Sequence, residues 1–220
     1  MKPAEETGLR RVGIFIFDAV EVLDFAGPFE VFAVTAELNR GRHFDVAVIA
    51  AGRQPVMAAN GLEVIPGRTL ADGWIPDVLV LPGGSGTKRV IRDRGLLGSL
   101  AGACERAEVI LSVCSGARIL AKLGLLDGLE ATTHHEVIAQ LSELAPAARL
   151  VPGRRFVDAG RIVTTGGISA GIDGALHLVG RLAGEDAARR TARYMEYDSR
   201  GFADGDEFTM TRRKSPDAKQ

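Results

Sequence analysis

Four short apolar runs, each ending abruptly at a turn, constrain the fold more than any other feature of the chain. They are Val12 to Phe17, Phe44 to Ala51, Val78 to Leu81 and Val109 to Val113. Unbroken runs of this kind are typical of strands buried on both faces of a parallel sheet. Apolar residues at helical spacing follow these runs. The pattern therefore predicts an α/β protein whose doubly wound, flavodoxin-like, mostly parallel sheet is flanked by helices.

The organisation along the chain predicts a single domain. At this length of 220 residues, a domain buries roughly 70% of the surface that its unfolded chain exposes, so it folds without disulfides or metals. No repeat or linker divides the sequence. We expect a polar N-terminal segment (1–10), one domain (11–197) and a polar C-terminal tail (198–220) that is partly disordered or docks on a partner.

Composition narrows the classes of partner. The 27 Lys and Arg residues nearly balance the 28 Asp and Glu residues, whereas binding to nucleic acid needs a basic excess on one face. No apolar run approaches the ~20 residues that span a bilayer, and Met1 to Arg10 does not fit a signal peptide. Two Cys residues cannot form a disulfide framework. We expect a cytoplasmic protein without nucleic-acid or membrane partners.

Cys114 is the strongest candidate for chemistry. It follows the run Val109 to Val113 and precedes Ser115, Gly116 and a helix predicted over Ala117 to Leu123. A residue on such a turn, a nucleophile elbow, is held exposed in strained geometry at the N-terminus of the helix. The helix dipole favours the thiolate, so we expect a pKa below the ~8.5 of a free thiol. The alternative is a small apolar residue that caps the core.

Asp24 is the candidate acid. It lies in the apolar stretch VEVLDFAGP, where a carboxylate is costly to bury unless it is paired or protonated. A raised pKa would make it a usable general acid. Alternatively, Asp24 caps a helix that is predicted to begin near Pro28, with Asp18 to Ala26 as the preceding loop. The residues alone leave both roles open.

Backbone amides are the predicted donors for the negative charge that develops when a thiolate attacks an unsaturated carbon. Gly83 and Gly84 follow the run Val78 to Leu81, and Ser115 follows Cys114. The N–H groups of Gly84 and Ser115 are expected to point into one cleft. A glycine pair after a strand is also common in tight turns, so the glycines alone are weak evidence.

The other thiol and the histidines are assigned supporting roles. Cys104, in the helical stretch AGACERA, is predicted to pack in the core. His134 is expected to support the site through hydrogen bonds rather than to react, although His135 beside it leaves that choice open. His43 and His177 have no local partners that suggest a metal site. We therefore expect no metal and no other cofactor.

Turn and helix signals predict the remaining elements. Asn60-Gly61, within Val56 to Ile65, indicates a hairpin, and a second hairpin is predicted over Arg149 to Thr164. A helical stretch over Ile91 to Ala107 is expected to break near Gly95.

These motifs resemble the ThiJ/PfpI (DJ-one) superfamily of the class I glutamine amidotransferase-like fold. The resemblance spans Val12 to Tyr197 and rests, in order, on VGIFIFDAVEVLDFAGPFEVF, DVLVLPGG, SVCSGARILAKLGLLDGLEATTHH and VTTGGISAGID. Within the superfamily, the acid in LDFAGP, the small hydroxyl residue after the nucleophile, TTHH and GGISAGID look most like isonitrile hydratases. The amidase-like domain of certain AraC-type regulators looks similar too.

Departures from the family patterns reduce the number of activities that the resemblance allows. PfpI-type peptidases have a His directly after the nucleophile, where this chain has Ser115. AraC-type regulators carry a helix-turn-helix domain, and the polar residues after Tyr197 are too few for an independent core. Glyoxalase and deglycase members usually have Glu in the first loop, and Asp24 is one methylene shorter. Peptidase, regulator and glyoxalase activities are all disfavoured.

The resemblance implies a hydration with a covalent step. Cys114 would attack the terminal carbon of an isonitrile while Asp24 delivers a proton to that carbon, forming a thioimidate. Hydrolysis would give an N-substituted formamide, with Ser115 helping to hold the intermediate and Gly84 positioning either Asp24 or the intermediate. We also expect Cys114 and Asp24 to hydrogen-bond and to share one proton.

Other implications of the resemblance stay open. Family members are commonly homodimers, and Phe25, Phe29 and Phe32 could lie at such an interface or in the core. A glyoxalase III-like hydratase of 2-oxoaldehydes would use the same thiol. A non-enzymatic redox or ligand sensor would use its susceptibility to oxidation. In the enzymatic cases the partner is a small electrophilic molecule.

Overall fold

The computed structural model describes residues 8–198 and has an α/β architecture. The strands are β1 (Arg10–Phe15), β2 (Phe44–Ala50), β3 (Val56–Met57), β4 (Glu63–Val64), β5 (Arg68–Thr69), β6 (Val78–Leu81), β7 (Val109–Ser112), β8 (Glu130–Ala131), β9 (Arg149–Leu150), β10 (Phe156–Asp158) and β11 (Ile162–Thr165). The helices are α1 (Val22–Leu38), α2 (Thr87–Val90), α3 (Arg94–Arg106), α4 (Ala117–Lys122), α5 (Ile138–Leu144), α6 (Ala170–Ala183) and α7 (Glu185–Tyr194).

The central sheet confirms the predicted fold class. Its seven strands lie in the order β10-β11-β7-β6-β1-β2-β5. Neighbouring strands are parallel except for the antiparallel pair β10 and β11. Every residue of β6 and β7 is buried, because helices cover both faces of the sheet. This burial explains why the central strands are unbroken apolar runs in the sequence.

The chain order reverses between β1 and β6. From β1 the chain adds β2 on one side, and β6, β7 and β11 follow on the other. Ligands of open α/β sheets bind at such a switch point, outside the carboxyl ends of the strands. The segments that follow β1, β6, β7 and β11 therefore meet at one edge, and they contain Asp24, Gly83, Cys114 and Ile168.

Helix α1 begins earlier than predicted. It starts at Val22, with Glu21 in an extended conformation before it, so Pro28 lies inside the helix and the predicted loop over Asp18 to Ala26 is wrong. A proline within a helix removes one backbone donor, but Pro28 is buried and helix packing outweighs this local signal. Asp24 occupies the first turn and makes no cap, so the capping alternative is wrong.

The hairpin predictions had different outcomes. The turn at Asn60-Gly61 is confirmed, because β3 and β4 pair antiparallel and these two residues have φ values of 59° and 86°. The second hairpin joins β10 and β11, and Arg149 does not belong to it, since β9 pairs in parallel with β8. Strands of two residues carry too little periodicity to be recognised in a sequence.

The break after α2 lies at residues 91–93, slightly before the predicted position near Gly95. Asp93 explains the shift, because its side chain accepts a hydrogen bond from Leu96 N–H and caps α3. Arg10, placed in the N-terminal segment by the sequence, opens β1. The predicted tail lies outside the described residues from position 199 onward.

The structure shows where several apolar residues pack. Cys104 is 1% exposed on α3, which confirms its predicted packing role. Phe25 and Phe32 belong to the core, and Phe29 is partly buried against it. Among residues 8–198, no helix is both long enough and apolar enough to cross a membrane.

Candidate active site

Cys114 lies on a sharp turn between β7 and α4. Its φ of 54° is in the left-handed region, which residues other than glycine adopt only under constraint. The Cys114 N–H donates to the Gly166 carbonyl at 2.9 Å, and Thr133 Oγ1 donates to the Cys114 carbonyl at 2.6 Å. Cys114 is 8% exposed. The turn is thus a constrained elbow whose thiol reaches solvent only narrowly.

Asp24 lies beside this thiol and is fully buried. Its Oδ2 accepts a hydrogen bond from Gly83 N–H at 3.0 Å, and its Oδ1 accepts one from Ile168 N–H at 3.0 Å. The carboxyl is also hydrogen-bonded to the Cys114 thiol. Amides from two separate loops therefore fix both carboxyl oxygens next to the sulfur.

The environment of Asp24 favours its protonated form. Burial raises the pKa of Asp24 to about 7, and the nearby charge of Glu21 acts in the same direction. The hydrogen bonds from Gly83 and Ile168 oppose the increase but do not cancel it. An acid with a pKa near neutrality exchanges protons readily, which is what general acid–base catalysis requires.

The pKa of Cys114 moves in the direction opposite to that predicted. Burial raises it to about 12, the charge of Asp24 adds to the increase, and the Ser115 N–H opposes it. Helix α4 has only six residues, and its dipole does not outweigh burial beside a carboxylate. Between these two pKa values, from about 7 to about 12, the pair holds one proton on the thiol, and ionised Asp24 is placed to accept it.

The glycine loop between β6 and α2 orients side chains. Gly83 N–H is bound to Asp24, and Gly84 N–H donates to Ser115 Oγ at 2.9 Å. This differs from the expectation that Gly84 N–H points into an open cleft, because the Ser115 hydroxyl already occupies it. The amide that faces the sulfur is that of Ser115.

Close approach explains why position 83 is a glycine. A Cβ atom there would lie 2.6 Å from Ser115 N and 2.7 Å from Asp24 Oδ2. Neither atom can move away without disturbing the pair. Only a residue without a side chain allows the loop to approach both Asp24 and Ser115.

Ile168 is a site residue that the sequence did not reveal. Its φ of 56° is unusual for a β-branched residue, and this backbone geometry accompanies the hydrogen bond from its N–H to Asp24. The pair Gly166-Gly167 indicates an irregular loop before α6. Nothing in the sequence marks the next amide as a carboxyl ligand, because the side chain takes no part in the bond.

His134 packs close to the site without a hydrogen bond to Cys114 or Asp24. Within the described residues, its ring makes one hydrogen bond, in which Nδ1 accepts from Glu136 N–H at 3.3 Å. The ring covers Gly167 so closely that a methyl group there would overlap it. Burial lowers the pKa of His134, and the charge of His135 adds to the decrease. This arrangement favours a supporting role for a neutral His134.

No metal site is apparent in the described part of the chain. Residues 8–198 contain no group of three or more His, Cys, Asp or Glu side chains that could hold a metal ion. His177 instead contacts Asp158, with 2.7 Å between Nε2 and Oδ2.

One known protein family matches most of this chain. The family described as "DJ-1/PfpI family" matches residues 10–181, most of the chain. The chain belongs to the DJ-1/PfpI family. The resemblance indicated by the four sequence motifs is thereby confirmed.

Members of the DJ-1/PfpI family with different names are similar to this chain. The isonitrile hydratase of Pseudomonas putida is 33% identical over 190 residues, which cover 85% of this chain and 78% of that protein. The HTH-type transcriptional regulator GbdR of Pseudomonas aeruginosa is 24% identical over 89% of this chain, which spans only 53% of the regulator. The chain is thus similar both to a protein named as an enzyme and to one named as a transcriptional regulator.

A solved structure of this family supports the fold over nearly the whole chain. A ThiJ/PfpI family protein from Pseudomonas syringae aligns with a TM-score of 0.79 and 28% identity, covering 90% of this chain and 79% of that one. The arrangement of strands and helices described above therefore belongs to a fold that is known from experiment.

In this DJ-1/PfpI protein, a cavity of about 530 Å³ is lined by residues that are bonded to Cys114 and Asp24, although neither of these two residues lines it. Three of its lining residues bind the pair directly: Thr133 and Gly166 hold the Cys114 backbone, and Ile168 holds Asp24. The lining also includes the polar residues His134, His135, Arg154, Arg155 and Ser169. The cavity is large enough for a small organic molecule.

Proposed function

We propose that this protein is an isonitrile hydratase that converts an isonitrile to an N-substituted formamide. The observation that carries the proposal is the Cys114–Asp24 pair, a thiol hydrogen-bonded to a fully buried carboxyl whose pKa is raised to about 7. Such a pair supplies a nucleophile and a proton carrier at one position. The similarity to the Pseudomonas putida isonitrile hydratase adds support for the substrate class.

The first step joins the sulfur to the terminal carbon of the isonitrile. Ionised Asp24 takes the proton of the Cys114 thiol as the sulfur attacks, and protonated Asp24 then gives that proton to the same carbon. The product is a thioimidate in which the carbon carries hydrogen, sulfur and a double bond to nitrogen. Asp24 returns to its ionised state, so the step neither consumes nor releases a proton.

The second step consumes one water molecule. Asp24 takes a proton from the water, whose oxygen attacks the thioimidate carbon, and passes that proton to the nitrogen. Collapse of this adduct breaks the carbon–sulfur bond, transfers the hydroxyl proton to the Cys114 sulfur and releases the formamide. Ser115 N–H, which faces the sulfur, supports the adduct through charge stabilisation.

A direct assay tests the proposal. Purified protein is incubated with an alkyl isonitrile, and formation of the matching formamide is followed by NMR. We expect Cys114→Ala to abolish turnover and Cys104→Ala, the matched control at a buried thiol outside the site, to retain it. Substantial turnover by Cys114→Ala contradicts the assignment of the nucleophile.

The same preparation separates the alternatives. Methylglyoxal replaces the isonitrile in a parallel reaction, and turnover of that compound alone identifies a 2-oxoaldehyde hydratase. If neither compound is consumed and mild peroxide selectively oxidises Cys114, as seen by mass spectrometry, a sensor replaces the enzyme. Formamide production with an isonitrile supports the proposed hydratase.

We also propose that the protein is a homodimer, as its family resemblance implies. Light scattering on the eluate of a size-exclusion column tests this directly. A mass near twice that of the chain is expected, and a monomeric mass over a range of concentrations contradicts it. The cytoplasmic location remains an expectation from the sequence.

A further inference from the structure

One buried cation near the Cys114–Asp24 pair has no role in the proposed hydration steps. Arg118 lies on α4, four positions after Cys114, and is 7% exposed. Within residues 8–198 its guanidinium makes one hydrogen bond, from Nη1 to Thr87 Oγ1 at 3.0 Å, and its buried Nε has no partner. A buried charge without a carboxylate partner is unfavourable unless another negative group compensates it.

Within the Cys114–Asp24 pair, Cys114 is the group whose charge acts on Arg118. Burial lowers the pKa of Arg118, whereas the electrostatic interaction with Cys114 raises it again. When the pair holds one proton, it carries one negative charge shared between Cys114 and Asp24. Charges of opposite sign stabilise each other more in a buried environment than in water.

A chain of hydrogen bonds also connects Arg118 to the glycine loop. Thr87 Oγ1 accepts from Arg118 and donates to the Gly84 carbonyl at 2.8 Å. Ser115 Oγ bonds to both polar groups of Gly84, accepting from its N–H and donating to its carbonyl at 3.2 Å. The adjacent Gly83 N–H holds Asp24. Arg118 is therefore linked to both side chains that flank the sulfur.

We propose that Arg118 is a positioning residue for the Cys114–Asp24 pair. Its positive charge stabilises the form of the pair that carries one proton, and its bond to Thr87 keeps the glycine loop in place. The inference rests on the proposed function only because that function makes Cys114 the nucleophile. Among the described residues, Glu21 also acts on the pair and raises the pKa values of both Asp24 and Cys114. Nearby, Arg89 on α2 donates to the Asp18 carbonyl, and the ring of His134 packs on Gly167.

The test follows alkylation of Cys114 by iodoacetamide as a function of pH, which requires no substrate. Peptide mass spectrometry separates Cys114 from the buried control Cys104. In Arg118→Met, we expect the midpoint of the pH dependence to rise by on the order of one pH unit. At pH values below the midpoint, alkylation of Cys114 should be roughly tenfold slower than in the wild type. Arg118→Lys keeps the charge and is expected to keep the midpoint near that of the wild type.

A second variant separates charge from geometry. Thr87→Val removes the hydrogen-bond relay without changing charge, so we expect an unchanged midpoint and a lower kcat for formamide formation. Thermal unfolding identifies any variant that fails to fold, and Arg118→Lys then serves as the folded reference. A midpoint in folded Arg118→Met equal to that of the wild type overturns the proposal, as does an equal shift in Arg118→Lys.

The two proposals fail in different ways. If no isonitrile is turned over but the alkylation midpoint still shifts in Arg118→Met, the proposed function fails and the role of Arg118 stands. If formamide is formed and the midpoint in folded Arg118→Met equals that of the wild type, the role of Arg118 fails alone.

Discussion

The N–H of Ile168 donates a 3.0 Å hydrogen bond to Oδ1 of Asp24, across 144 positions of the sequence. Gly83 N–H donates to the other oxygen of the same carboxyl. These bonds join the loops after β6 and β11 to the first turn of α1. The ionisation state of one carboxyl is therefore coupled to the conformation of three segments, and it can be tested in several ways.

The rate of hydration should depend on the ionisation of Asp24. Because the carboxylate must accept the thiol proton, we expect kcat/KM for an alkyl isonitrile to rise with pH to a plateau, with a midpoint near the pKa of about 7. Steady-state assays between about pH 5 and 9 measure this profile. Asp24→Asn should lower turnover by orders of magnitude and remove the dependence. A flat profile for the wild-type protein contradicts the assigned role.

The same carboxyl should make stability depend on pH in an unusual direction. The pKa of Asp24 is raised from 3.8 to about 7 in the fold, so between these values the folded protein keeps a proton that the unfolded chain releases. The contribution of Asp24 to the free energy of unfolding is then favourable at acidic pH and is lost as pH rises toward 7, by up to about 1.4 kcal/mol per pH unit.

Asp24→Asn isolates this contribution, because asparagine does not titrate. Urea denaturation of both proteins at several pH values gives the difference in their free energies of unfolding. We expect that difference to change in favour of the variant as pH rises from about 4 to 7. A difference that stays constant over this range would show that burial does not raise the pKa of Asp24.

The close approach at Gly83 gives a steric test. A methyl group at this position meets Ser115 N at 2.6 Å and Asp24 Oδ2 at 2.7 Å, so Gly83→Ala should displace both and lower kcat by at least an order of magnitude. Gly98→Ala is the matched control, since a Cβ there meets nothing within 4 Å on the exposed face of α3. That control should retain activity and gain about 0.5–1 kcal/mol in stability. Equal activities of the two variants contradict the steric argument.

The parts of the site that the sequence could predict depend on local patterns. Cys114 could be recognised because a buried strand, a small-residue turn and a helix occur together within a few positions. Asp24 could be recognised as an acid among apolar residues. Its role stayed open, because Pro28 suggested a later helix start and hence a cap. Only the packed fold shows that α1 begins at Val22 and that both carboxyl oxygens bind amides.

The remaining features depend on contacts between distant segments. The pKa of Cys114 could not be deduced from the elbow, because burial and the charge of Asp24 outweigh the short helix that follows. Ile168 acts through its backbone, so its side chain carries no signal. Arg118 lies on a helix that the sequence predicted correctly, but its link to Thr87 joins two helices. Such contacts arise from tertiary packing rather than from residue type or spacing.

Strain at Ile168 leads to the last prediction. A β-branched residue with a φ of 56° is held there against its backbone preference, whereas glycine adopts this conformation readily. Ile168→Gly keeps the N–H that binds Asp24, and the 38% exposed side chain loses little burial. We expect the variant to retain turnover and to be within about 1 kcal/mol of the wild type in stability, because released strain offsets the added entropy of the unfolded chain.

Ile162→Gly is the control at a relaxed strand position, where loss of a 5% exposed side chain should cost several kcal/mol. Urea denaturation measures both, and equal losses of stability in the two variants would show that the backbone at Ile168 is not strained.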